Sequence, residues 1–247
     1  MLAERFFFIP KDKHRFEIKK EYISKAGFWV AKKRYAQWMI LKNGIPCDKL
    51  DVKGLDVRRS SFPTYFKKVM ETVLLDILKG VDKSIIDDKL IKFKEKMSDQ
   101  NFTDIAKNSA VKDMSKYVKS RKEYALGEFE KGTPAHVKAA ITYNRLLKHY
   151  NAPYKYEPMK DGDKIKWVYL KKNPLGLETT AFTGHNDPPQ INQFVQQYID
   201  YNKIWKQDLE NKLDDFYDAM NWDKPNPNKT SKALTPAQKT AAKARAK

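Results

Sequence analysis

The chain has 247 residues, 41% apolar and 13% aromatic, which is enough for one large or two small domains with a substantial core. Its formal net charge of +18 opposes compaction and favours a polyanionic partner. Nucleic acid ranks before a membrane, because no apolar run approaches the roughly 18–20 residues that cross a bilayer. The opening "MLAERFFFIPKDKHRFEIKK" has an apolar patch far too short for a signal-peptide core. Cys47 is the only cysteine, so an internal disulfide is excluded and a reducing, cytoplasmic compartment is expected.

From Arg15 to Ile23, "RFEIKKEYI" alternates apolar and charged residues, the pattern of a half-buried strand. A second strand is predicted over Phe28–Leu41, ending at the turn pair Asn43-Gly44, and a third through "KLDVKGLDV". Inside the second lie three adjacent cations, Lys32, Lys33 and Arg34. Read as one continuous strand, Lys33 and Tyr35 point one way, Lys32 and Arg34 the other. A cation and a phenol with Trp29 and Trp38 nearby suit a nucleic-acid backbone. Taken bare, "KKRY" fits a solvated edge strand about as well.

Helices follow. "SSFPTYFKKVMETVLLDILKG" offers Ser61 as N-cap, Pro63 in the first turn and Gly80 as the stop. Its apolar stripe is Tyr65, Phe66, Val69, Met70, Val73, Leu74, Ile77 and Leu78. A second helix is predicted over Lys83–Met97 with Ile85, Ile86, Leu90, Phe93 and Met97 inward. Thr133-Pro134 opens a third that buries Val137, Ala140, Ile141, Tyr143 or Asn144, and Leu147. "YEPMKDGDKIKWVYLKKNP" reads as a hairpin about Asp161-Gly162, and a long helical stretch runs from Pro189 to Asn221 with a break near Asn202. From Asp223 onward seven cations face one acid with no aromatic residue, a disordered basic tail. The fold class expected is α+β, a small antiparallel sheet followed by a mainly helical body with a β-hairpin.

Catalytic signatures are missing from this pattern. There is no Walker lysine loop and no GxGxxG after a strand. His14, His136, His149 and His185 are scattered, and no metal ligand set is expected. The acidic pairs Asp87-Asp88 and Asp214-Asp215 are of the type a two-metal reaction uses. They sit in helical runs rich in lysine or acid, where a solvated face is the simpler reading.

The segment "GFWVAKKRYAQWMILKNG…KLDVKGLDVRRSSFPTYFKKVMETVLLDILKG" resembles the end of the palm and the start of the thumb in family B DNA polymerases, above all the replicative polymerases of T-even-like bacteriophages. Further on, "AHVKAAITYNRLLKHYNAP", "NPLGLETTAF" and "YIDYNKIWKQDLENKLDDFYDAMNW" resemble later thumb segments in the same order, so the likeness covers most of residues 14–222. It implies palm strands over 1–58, a thumb over 59–222 and a basic tail over 223–247.

The resemblance also implies roles. Lys33 and Tyr35 match the family's Lys-x-Tyr element beside the primer terminus, with Lys32 and Arg34 as added charge. Arg58, Arg59 and Ser60 fall at the palm–thumb junction, and Lys107, Lys112, Lys116, Lys119 and Arg121 in a stretch that approaches DNA. The family's Asp-Thr-Asp motif would precede Met1. The expectation is therefore the C-terminal piece of a split polymerase, inactive alone. No metal is expected in this chain, and Mg2+ is expected on a larger partner that carries exonuclease, fingers and catalytic palm. Phage relatives end in an aromatic peptide that docks on a sliding clamp; "TPAQKTAAKARAK" has no counterpart, which leaves clamp binding open. The alternatives are a stand-alone, sequence-independent duplex-binding protein and, behind it, a nuclease using the acidic pairs.

Overall fold

Three strands, β1 (Tyr22–Ala31), β2 (Arg34–Lys42) and β3 (Ile45–Lys53), form an antiparallel meander in chain order. They belong to a computed structural model that describes residues 22–118, 126–152 and 155–223. Nearly all of the strand predicted over 15–23 lies outside those residues, as do Lys119, Arg121 and the tail beyond Asp223.

The continuous strand expected over 28–41 is two strands. Ala31 pairs with Arg34, so Lys32-Lys33 is the two-residue loop of a hairpin, and Lys33 takes a left-handed φ of 63°. The reason is burial. Phe28, Val30 and Ala36 share the face packed on the core, and an unbroken strand would have carried Lys32 and Arg34 along it. Turning the chain there leaves all three cations exposed. The turn at Asn43-Gly44 is as expected: Lys42 pairs with Ile45, and both loop residues have positive φ, 50° and 79°, the type I′ geometry that suits strand twist. β3 ends earlier than predicted, because Gly54 at φ 67° stops it and Asp56–Arg58 coil into a 3-10 turn.

Helix α1 (Thr64–Leu78) touches all three strands and buries Tyr65, Phe66, Val69, Met70, Val73, Leu74 and Ile77. Pro63, not Ser61, is its N-cap, and Gly80 at φ 71° closes it. Helix α2 (Lys83–Glu95) stops short of Met97, where Lys96–Asp99 tightens into a 3-10 turn. Ile86, Leu90 and Met97 are buried, but Ile85 is 37% exposed rather than inward.

A short helix, α3 (Phe102–Ile105), leads to β4 (Lys107–Ala110), the edge of a second antiparallel sheet ordered β4-β5-β6 with β5 (Lys164–Tyr169) and β6 (Thr179–Phe182). Asp161-Gly162 does make a turn, with the Gly162 amide donating to the Val111 carbonyl at 2.8 Å. The residues before it are not a strand. The partners of β5 are β6 and the distant β4. Helix α4 (Ala135–His149), largely buried, packs on this sheet, and Asn144 exchanges two hydrogen bonds with the Met159 backbone at 2.8 and 2.7 Å.

The closing helical run breaks at Ile199-Asp200 rather than Asn202: α5 (Pro189–Tyr198), α6 (Tyr201–Trp205), a π-helical turn over Lys206–Glu210, and α7 (Asn211–Ala219). Asp200 caps α6 by accepting from the Lys203 amide at 3.0 Å. α7 returns to the first sheet, where Phe216 stacks on Phe28 with ring centres 5.1 Å apart. The architecture is α+β, as expected. Among the described residues no helix is long and apolar enough to cross a membrane.

Candidate nucleic-acid interface

The β1–β2 hairpin presents its cations at its tip, and what holds the tip is a missing side chain. A Cβ on Gly54 would lie 2.3 Å from the Lys33 carbonyl oxygen and 3.0 Å from the Arg34 γ-carbon. The backbone of Lys33 therefore rests directly on the exit of β3, which only glycine permits. Contrary to the prediction, Lys33 and Tyr35 do not share a strand face. Lys33 is in the loop and Tyr35 is one residue into β2, but the turn keeps both at the same end of the sheet.

Tyr35 sits in a cross-strand row between Trp29 and Lys53. The adjoining row is Gly27, Gln37 and Asp51, in which Gln37 accepts from the Ser24 hydroxyl and donates to Asp51, each at 3.0 Å. Desolvation, then the Asp51 and Tyr22 charges, push the Tyr35 phenol up, so it stays protonated as a hydrogen-bond donor.

Behind the tip runs a charged seam that joins the two sheets. Asp56 accepts from Lys212 of α7 and pairs with Arg59 at 3.0 Å. Burial would raise the Asp56 carboxyl, but the Lys212 hydrogen bond and charge, with Arg59 and Arg34 behind, hold it below the usual range. A carboxyl so depressed contributes stability above its unfolded titration range and loses it as pH falls through the depressed value. Asp56→Asn should therefore cost about 1 kcal/mol near pH 7 and progressively less as the pH falls into the acid range, read by urea unfolding across that range.

Deeper in the seam, Lys107 pairs with Asp208 at 2.8 Å and lies over the Trp167 and Tyr169 rings at 5.3 Å each. Asp208 is 2% exposed, and its Oδ2 has no hydrogen-bond partner. Burial pushes its carboxyl up against the opposing pull of Lys107 and Lys212.

The predicted cations thus divide. Lys32, Lys33, Arg34, Arg59, Lys112 and Lys116 are exposed, with Arg59 at 69% despite its ion pair. Arg58 is exposed too, though its Nε donates to the Val52 carbonyl at 3.1 Å and braces the end of β3. The Ser60 carbonyl accepts from Asn108 at 3.4 Å, another tie between the sheets. Lys107 is committed to a buried acid. Lys212 and Asp208 escaped the sequence reading, because "KQDLENKLDD" looks like one solvated helical face. The π turn across Lys206–Glu210 rotates that face inward.

The family model for DNA polymerase family B matches residues 10–217, most of the chain. This chain belongs to family B of the DNA polymerases. No curated protein matches it. In a family B polymerase, nucleotidyl transfer calls for paired Mg2+ ions, and the acids among the described residues do not fit that demand. Asp87 is held by Lys83 at 2.5 Å and accepts from the buried Tyr217 hydroxyl at 2.8 Å. Desolvation and that bond to Asp87 push the Tyr217 phenol far up. The pair locks α7 to α2. Among the described residues no three His, Cys, Asp or Glu side chains gather as metal ligands would, and the Asp215 side chain lies outside them. Asp87 is thus engaged in holding the helices together.

Proposed function

We propose that this chain is the end of the palm and the thumb of a replicative polymerase of the T-even-like phage kind. It holds primer–template duplex, while a larger partner with exonuclease, fingers and Mg2+-binding aspartates joins the nucleotides. Residues 1–58 complete that partner's palm, and residues 59–222 form the thumb. The observation that carries the reading is the hairpin tip, in which the Lys33 backbone is seated on Gly54 with a protonated Tyr35 beside it. The minor groove offers purine N3 and pyrimidine O2 acceptors at every Watson–Crick pair. A lysine donor fixed there senses pair geometry without reading sequence. Tyr35 donates to a primer phosphate, and the exposed Lys32, Arg34, Arg59, Lys112 and Lys116 supply backbone attraction.

Primer extension tests this with the chain alone and with a catalytic polymerase piece added. Synthesis is expected only in the mixture. Lys33→Ala should lower it about tenfold, since a hydrogen bond from a charged donor contributes roughly 1.5–3 kcal/mol, and Tyr35→Phe should lower it less. Lys33→Ala should also reduce the slope of log affinity for duplex against log salt by about 0.9. Unchanged extension in both variants would remove the assignment. Full synthesis by the chain alone would remove the partner. Tight duplex binding with no synthesis in any mixture would leave the stand-alone duplex-binding protein.

A further inference from the structure

We infer that the outer face of the first sheet, beside the hairpin tip, binds the unpaired end of a single DNA strand, with Trp29 as the stacking surface. The inference rests on the polymerase reading only for the identity of the polyanion.

Trp29 is 67% exposed, while its neighbours Phe28 and Val30 pack against the core. The ring does not wave freely. It is laid back over Gly27, where a Cβ would come within 2.3 Å of Cη2 and 2.6 Å of Cζ3. Tyr35 flanks it across the strand pair, ring centres 6.5 Å apart. One side of the indole is thus backed by the sheet and the rest is open. Trp38 makes the contrast: its Nε1 donates to Asp48 at 2.6 Å, and Lys25 and Lys79 cover its ring at 5.1 and 5.2 Å. Of the two, only Trp29 is free to receive a base.

The surroundings select the occupant. The row across the strands is Trp29, Tyr35, Lys53, and Lys32 and Lys33 form the loop just beyond the neighbouring Ala31–Arg34 pair. The acid on this face, Asp51, is tied to Gln37. A protein partner seated on an exposed indole would need apolar neighbours, and here they are a phenol, an amide and cations. Aromatic surface beside cations that follow a backbone is what single strands require, and a duplex hides its base faces inside its own stack.

The test uses the full chain, a labelled oligothymidine of about ten nucleotides and a blunt duplex, titrated by anisotropy at several salt concentrations. Trp29→Ala should weaken oligothymidine binding about tenfold, within the range of one base–aromatic stack. Duplex affinity and both salt slopes should be unchanged, because no charge is removed. Trp29→Phe should restore most of the loss. Gly27→Ala, which lifts the indole from its seat, should act in the same direction. Unaltered oligothymidine binding by Trp29→Ala would overturn the inference. An equal loss on duplex would too, since the face would then belong to the duplex, as would a concentration-dependent dimer abolished by Trp29→Ala. Failure of the polymerase reading looks different: Lys33→Ala would spare duplex affinity while Trp29→Ala still acted on the single strand.

Discussion

Lys107→Ala should destabilise the chain by about 2–4 kcal/mol near neutral pH, although the lysine sits in a stretch that reads as a nucleic-acid contact. The cost comes from what is left behind. The Asp208 side chain is 3% exposed, takes Lys107 on Oδ1 at 2.8 Å, and has no partner on Oδ2. Removing one member of a buried pair leaves an uncompensated charge, usually costing roughly 3–5 kcal/mol. The lower figure applies because Lys107 is 24% exposed and Lys212 still offsets part of the charge.

The pH dependence gives the sign. Burial holds the folded Asp208 carboxyl above its unfolded value, so its contribution is fullest in acid and is lost as pH rises through the folded value. Without Lys107 the folded carboxyl rises further. The deficit of Lys107→Ala must therefore grow from acid toward neutral pH, and adding Asp208→Asn must recover most of it. Urea unfolding of the three proteins at several pH values measures this. A deficit independent of pH would mean that Lys107 acts by packing between Trp167 and Tyr169 instead.

Gly54→Ala should cost about 2–3 kcal/mol and weaken duplex binding. A left-handed φ of 67° disfavours any L side chain by roughly 1 kcal/mol, and the new Cβ would meet a backbone oxygen at 2.3 Å. A backbone group cannot swing aside as a lysine tip can, so the hairpin loop must lift. If Gly54 acts by seating Lys33, its loss of duplex affinity should vanish in a Lys33→Ala background. Titrations of the parent, both single variants and the double variant form the cycle. Additive losses would show that Gly54 acts on binding by another route.

These two predictions separate what is local in this protein from what is not. The sequence by itself determined α1 and the Pro-marked start of α4, because a 3.6-residue apolar stripe with Pro before it, or Gly after it, depends only on neighbours within a turn or two. The Asn43-Gly44 turn was legible for the same reason, as was the family, whose motifs run in order along the chain. Tertiary structure decided the rest. Period two alone cannot tell a strand crossing a core from a hairpin whose loop spares it charge, so Lys32-Lys33 looked like strand. β4 finds β5 across a long stretch of chain, and no local pattern encodes a partner that distant. Lys107 and Asp56 look like ordinary surface charges until Asp208 and Lys212 arrive from the last helices. Whether a charge is solvated or buried depends on the groups that close over it, and that decided which cations stay exposed.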